Sequence, residues 1–289
     1  MNIIEKLAKE FQLKLSQVEN TVQLIDEGNT IPFIARYRKE MTGALSDVVL
    51  RELYERLVYL RNLEQRKEEV IRLIEEQGKL TDELKEEILK AEVLQRVEDL
   101  YKPFRQKKST RASKAKEKGL EPLALVFWAQ EIETGTPEEL AAPYVDADKG
   151  VADTAEAIQG ALDIIAEMIA DDPELTAMVR ERTQRSGLVS SEAEDPAEST
   201  VYDLYYNFSE AISKIPNHRI LAINRGEKEK KLKVKVVAPV EEILEDIRKA
   251  VITNEKSIFT GLLCETIEDA YKRLMAPSIE REMRNMLTE

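Results

Sequence analysis

Between residues 47 and 77 no glycine or proline interrupts the chain. Leu50, Leu53, Leu57, Leu60, Leu63, Val70, Leu73 and Ile74 recur there at helical spacing. Thirty residues of this kind predict one continuous helix of about 45 Å, opening at Ser46. The sequence around it also reads mostly as helix. Residues 2–11 place Ile3, Ile4, Leu7, Ala8 and Phe11 on one face. Ser16 and Glu19 have the spacing of a capping box for a second helix that stops at Gly28. Thr30 is positioned to cap a short third helix with Pro32 in its first turn. On that helix Phe33, Ile34 and Tyr37 are expected to seat the element in a bundle, with Arg36, Arg38 and Lys39 on its other sides.

Further along, Thr81 opens a helix over 82–90, and another follows over 93–101 until Pro103 breaks the pattern. Helices are expected over 122–131, 137–142, 154–170 and from Pro173 to Gly187. Residues 188–200 are rich in Ser, Glu and Asp and read as a loop or linker. Beyond them, Pro216 suits the first turn of a helix that ends at Gly226. Leu232, Val234 and Val236 alternate with Lys233 and Lys235 as a half-buried strand. Two helices follow Pro239, the last interrupted in principle by Pro277. The expected fold is mainly α and multi-helical, with a helix-turn-helix-like N-terminal part. Its domains are residues 1–190 and 201–289, with one short strand near 231–238.

Composition excludes several classes. A single cysteine, Cys264, rules out an intramolecular disulfide or a Cys-cluster metal site. A single histidine, His218, rules out paired-His chemistry. No glycine-rich nucleotide loop and no Gly-x-Ser-x-Gly elbow occurs. No apolar run is long enough to cross a bilayer, and the N-terminus turns charged too soon for a signal peptide. A reduced, cytoplasmic protein with no membrane partner and no cofactor is expected.

The net charge of −13 is unevenly spread. Residues 131–203 hold 19 Asp or Glu and 4 Lys or Arg, whereas residues 102–118 hold eight Lys or Arg and one Glu. A basic cluster on an acidic chain can meet phosphate, or it can meet the chain's own acidic segment.

Three stretches carry more than helical pattern. They are Thr30-Ile-Pro-Phe-Ile-Ala-Arg-Tyr-Arg-Lys-Glu-Met-Thr-Gly43; Leu100-Tyr-Lys-Pro-Phe-Arg105 with Thr110-Arg-Ala112 and Gly119-Leu-Glu-Pro-Leu-Ala124; and Ile215-Pro-Asn-His-Arg-Ile-Leu-Ala-Ile-Asn-Arg-Gly-Glu227. With Ala276-Pro-Ser-Ile-Glu-Arg-Glu282, and in this order, they resemble the N-terminal region of the bacterial transcription accessory family Tex. The resemblance runs over essentially the whole chain, with Gln106 standing where proline is expected. It implies a longer protein, with a ribonuclease-H-like module, helix-hairpin-helix motifs and an S1 domain that this sequence lacks. The chain would then stop inside the family's long central helix. Ile279, Met283, Met286 and Leu287 would be left to fray or to pair with missing domains or another chain.

The candidate nucleic-acid contacts are Lys102, Arg105, Lys107, Lys108, Arg111 and Lys114, interleaved with Tyr101 and Phe104. Cations there would supply sequence-independent phosphate affinity, and the aromatics could stack on unpaired bases. Arg111, Lys114 and Lys118 would share a helical face. The competing reading is an internal clamp on carboxylates. Arg36, Arg38 and Lys39 are a second candidate set, implied by the helix-turn-helix element of the family. The resemblance implies an architectural, non-catalytic part of a nucleic-acid-binding transcription factor. Its partners would be nucleic acid, bound weakly by this chain, the transcription machinery, and the remaining domains of the same protein. The alternative is a metal-dependent nuclease or another nucleic-acid-processing enzyme.

Overall fold

The computed structural model describes residues 2–289. They form two units, the first ending at Tyr101 and the second spanning Lys102–Glu289.

The first unit is built from α1 (Ile3–Phe11), α2 (Leu15–Asp26), α3 (Ile31–Tyr37), α4 (Lys39–Thr42), α5 (Asp47–Glu76), α6 (Asp82–Lys90) and α7 (Leu94–Tyr101). The thirty residues of α5 form the expected single helix, and the Ser46 hydroxyl accepts from Val49 N at its start. Leu50, Leu53, Leu57, Leu60, Leu63, Val70 and Ile74 are all buried along its stripe. Lys67 interrupts that stripe and is only 2% exposed; its ammonium donates to Leu89 O at 2.8 Å and pairs with Glu64 at 3.2 Å. Thr30 caps α3 as expected. The opening of α2 is different. The helix begins at Leu15, so Ser16 lies inside the first turn, and Gln17 Oε1 accepts from Lys14 N to close that turn.

The second unit comprises α8 (Arg111–Glu117), α9 (Glu121–Ala129), α10 (Pro137–Ala141), α11 (Thr154–Asp171), α12 (Pro173–Ser186), β1 (Leu188–Ala193), β2 (Asn207–Ala211), α13 (Asn217–Lys228), β3 (Leu232–Val237), α14 (Val240–Val251), α15 (Thr260–Asp269) and α16 (Ala276–Thr288). The centre is α11, where Ala157, Ala161, Ile164, Ile165, Ala166 and Ile169 are buried. It touches α8, α9, α10, α12 and α15. A helix apolar on most of its circumference belongs inside the bundle.

Two expectations change here. The segment read as a linker contains β1, the middle strand of a three-stranded antiparallel sheet ordered β2-β1-β3. Val189 faces Val236 across one ladder and Glu210 across the other. The pattern hid because an inward position is occupied by Ser191, which is buried and satisfied by a 2.6 Å bond to Tyr205 O. The domain boundary drawn at residues 190–201 therefore falls inside this sheet, within the second unit.

Gly226 does not end its helix; α13 continues to Lys228. The glycine serves a close approach instead, because a Cβ there would lie 2.5 Å from Leu232 Cδ1.

The C-terminal segment also departs from expectation. Ile279 and Met283 are 3% and 1% exposed within their own chain, and Met286 and Leu287 pack partly buried against the same core. They face a cluster that this unit already contains. Pro277 is accommodated because a π-helical segment, Ala270–Met275, joins α15 to α16. The wider turn absorbs the missing N–H and the ring's steric demand just before the proline.

Candidate nucleic-acid interface

Residues 102–118 open with a short 3-10 turn, Lys102–Phe104, and continue into α8. Thr110 caps α8, accepting from Ser113 N at 3.0 Å, while Ser113 Oγ accepts from Thr110 N at 2.8 Å. Thr110 also donates to Glu167 of α11 at 3.0 Å. Small residues bring the two helices together. Ala112 and Ala115 are buried on α8, and a Cβ on Gly160 of α11 would meet Ala115 Cβ at 3.4 Å and Leu120 Cδ1 at 2.3 Å.

This packing divides the basic cluster. Lys102 donates to Ala170 O at 2.8 Å. Lys107 sits between Asp171, with which it is hydrogen bonded, and Glu167 at 3.4 Å. Arg111 lies in an acidic setting, lining one hollow with Glu156 and Asp163 and another with Glu265 and Asp269. Asp269 is held below the ordinary carboxylate range by its hydrogen bond to Arg273, with a weaker pull from Arg111. Arg105 is exposed. The clamp reading thus describes Lys107, with Lys102 tied to a backbone carbonyl beside it and Arg111 in an acidic setting.

Of the remaining cations, Lys108, Lys114 and Lys116 are exposed and Lys118 is half-buried. Among the described residues, Lys108, Lys114, Lys116 and Lys118 form no ion pair. Arg111, Lys114 and Lys118 line a single hollow of about 290 Å³, as their spacing implies. Sequence reasoning missed Lys149, which sits in the acidic half of the chain. The fold brings it to Gly119, where its Nζ is 3.7 Å from a Cβ position, while Lys118 Cε lies 3.6 Å from the Cβ position of Gly150. Each lysine thus lies over the glycine that follows the other. Only the hairpin-like bridge Asp146↔Val151, which presents this turn, could have signalled the encounter.

The aromatics interleaved with the basic run are not free ledges. Tyr101 lies under the Arg66 guanidinium, 5.3 Å from its ring centre, and Phe104 is half-buried. In the first unit, Arg36 and Lys39 are exposed, while Arg38 lies over the Phe33 ring at 5.2 Å. His218 is exposed at the start of α13, and Cys264 is half-buried.

The clamp has a pH consequence. Burial pushes the Asp171 carboxyl up from its ordinary 3.8, and Lys107 and Lys102 pull it only part of the way back. The folded state therefore holds this proton more tightly than the unfolded state. Its stabilising contribution is full below the unfolded value and is lost as pH rises through the folded one. Asp171→Asn cannot ionise. Denaturant midpoints taken from about pH 3 to about pH 7 should decline in the wild type relative to this variant across that window. A constant difference would mean that Asp171 is not the titrating group.

Residues 1–75 match the family described as Tex-like protein N-terminal domain, and residues 133–289 match the family described as Tex central region-like. The second match alone spans more than half of the chain. The chain belongs to the Tex family. The α8 surface lies between the two matched Tex regions. A Bacillus subtilis protein, "Uncharacterized protein YdcI", is 46% identical over 99% of this chain and 40% of its own length. "Protein tex" of Bordetella pertussis is 44% identical over 81% of this chain and 30% of its own length. "Transcriptional accessory protein Tex" of Neisseria gonorrhoeae is 39% identical over 79% of this chain and 30% of its own length. The chain thus spans well under half the length of these Tex relatives. Among the described residues, no helix is long and apolar enough to cross a membrane.

Proposed function

We propose that this chain gives a Tex-family transcription accessory protein an architectural, non-catalytic module with a sequence-independent phosphate-contacting surface. The observation that carries the reading is the group of lysines Lys108, Lys114, Lys116, Lys118 and Lys149. Two separate segments bring Lys118 and Lys149 together, Lys114 lines the same hollow as Lys118, and none of the five forms an ion pair with a described residue, in a chain of net charge −13. The name of the Neisseria gonorrhoeae relative supports a role in transcription. Lysines of this kind act as point charges on phosphate and do not read base edges. The surrounding acidic surface keeps the affinity weak and helps to orient the strand. The transcription machinery and further domains of the same protein are the proposed partners of the remaining surface.

Salt dependence tests the phosphate claim. If four of these lysines engage, log K should fall with log salt at a slope of about −3.6 on duplex and about −2.8 on single strands. Replacing Lys114, Lys116 and Lys149 with Ala should flatten the duplex slope by about 2.7 and leave thermal stability unchanged. Lys107→Ala should do the reverse, lowering stability through the loss of the Asp171 partner and leaving the slope in place. An unchanged slope in the triple variant would move the binding surface elsewhere. The nuclease reading makes a separate claim, cleavage of DNA or RNA that depends on added Mg²⁺ or Mn²⁺. Among the described residues, no three His, Cys, Asp or Glu side chains converge as a metal site.

A further inference from the structure

The end of α3 shows an aromatic side chain in the wrong place for packing. Of the three residues expected to seat this helix, Ile34 is fully buried, Phe33 is half-buried, and Tyr37 is 56% exposed. Among the described aromatic residues only Tyr37 and Tyr54 are exposed, and Tyr54 is less so at 41%. The surroundings differ too. Tyr54 has Glu55 as its neighbour, whereas Tyr37 lies between Arg36 and Arg38, with Lys39 following.

The ledge is built from below. The Phe33 ring lies 5.2 Å from the Tyr37 ring, tilted by 48°, and the Arg38 guanidinium covers Phe33 at 5.2 Å. Arg38 also donates to Tyr37 O at 3.0 Å, which ties the cation to the backbone of the exposed residue. Phe33 and Arg38 are therefore occupied in holding the platform. The Tyr37 ring is exposed, and Arg36 and Lys39, next to it in sequence, are exposed and form no ion pair with any described residue. An exposed π-face with unpaired cations on neighbouring residues can bind an unpaired base and its adjoining phosphates.

We propose that Tyr37 is a stacking platform for one unpaired base of single-stranded nucleic acid, with Arg36 and Lys39 on the adjoining phosphates. This goes beyond the lysine surface on α8. That surface meets phosphate on any strand, whereas a stacked base must be out of the duplex, so α3 confers a single-strand preference. Sequence preference is not expected, because every base has a π-face.

The experiment uses the whole 289-residue chain, a fluorescein-labelled oligo(dT), oligo(rU) and a blunt duplex, read by anisotropy at low salt. Tyr37→Ala should weaken single-strand binding about tenfold, at the low end of base–aromatic stacking, and leave duplex binding unchanged. Tyr37→Trp should restore or exceed wild-type affinity, and its circular dichroism should match the wild type, since the ring is exposed. Arg36→Ala with Lys39→Ala should reduce the single-strand salt slope by about 1.4. The Lys114, Lys116 and Lys149 variant should weaken single strand and duplex together, so loss of that effect defeats the α8 surface alone. Wild-type single-strand affinity in Tyr37→Ala would overturn the platform and assign Tyr37 to a protein contact. Equal losses on single strand and duplex, or no rescue by Trp, would overturn it as well.

Discussion

Replacing Gly160 with Val should destabilise the second unit by about 2–3 kcal/mol, the scale of an overpacked helix contact. A Cβ at this position would lie 2.3 Å from Leu120 Cδ1, and Leu120 is itself 1% exposed. The leucine cannot swing into solvent without leaving the core, so the turn between α8 and α9, and α8 with it, must move away from α11. Gly160→Ala calibrates the argument. Alanine gains about 1 kcal/mol of helix propensity over glycine, which offsets much of a single-methyl clash. Alanine, which brings the same Cβ against Leu120, should therefore lower the urea midpoint, but by less than valine. Valine adds two methyl groups and has a poorer propensity, so its midpoint should fall with an unchanged m-value. The shift has a functional readout, because α8 carries Lys114 and Lys116. Displacing it should also alter the salt slope on duplex. A Val variant as stable as the wild type would show that the α8–α11 contact is looser than its geometry.

Long-range structure and local pattern were legible to different degrees. The thirty-residue α5 announced itself because its stripe of leucines has one period and no breaker. Thr30, Ser46 and Thr81 marked helix starts because an N-cap is a local event within four residues. The sheet was only one-third visible. Strand β3 alternates apolar and lysine residues, whereas β1 places Ser191 inward and is specified by its partners' register. Gly226 looked like a helix end because glycine commonly is one; its reason, the approach of Leu232, lies in a different element.

The site shows the same division. That residues 102–118 are basic is a property of the sequence, but which cations are already engaged depends on α11, about 60 positions later. Lys107 meets Asp171 because Thr110 and Gly160 fix α8 against α11. Lys149 joins the free lysines from within a stretch whose composition argued against it. Tyr37 counted as a core residue by spacing, since i and i+4 from Phe33 share a face. The face ends at Ile34, and one aromatic ring remains outside. Composition thus located the charge, and packing decided which charges and rings remain free to bind.

Cutting Ile279 and Met283 back to Ala should strongly destabilise the second unit. They stand one turn apart on α16 and are 3% and 1% exposed in the main core cluster. Each truncation of a buried Ile or Met costs about 2–5 kcal/mol. The two share neighbours, so their costs need not add, and about 4–7 kcal/mol together is the reasonable scale. That is a large share of the 5–15 kcal/mol that typically holds a domain folded. The melting temperature should fall by roughly 10–25 °C, given about 2–4 °C per kcal/mol at this size. Met286 and Leu287 are only partly buried, so the corresponding pair of Ala variants should cost much less. Self-association sharpens the test. With Ile279 and Met283 satisfied inside their own chain, the wild type should not associate through α16 as its concentration rises. The truncated variant, whose α16 can lift from the core, should begin to do so. Suppose instead that the wild type associates reversibly and the double variant loses the association without losing stability. The two side chains would then belong to a contact between molecules, and the burial of α16 in its own unit would be wrong.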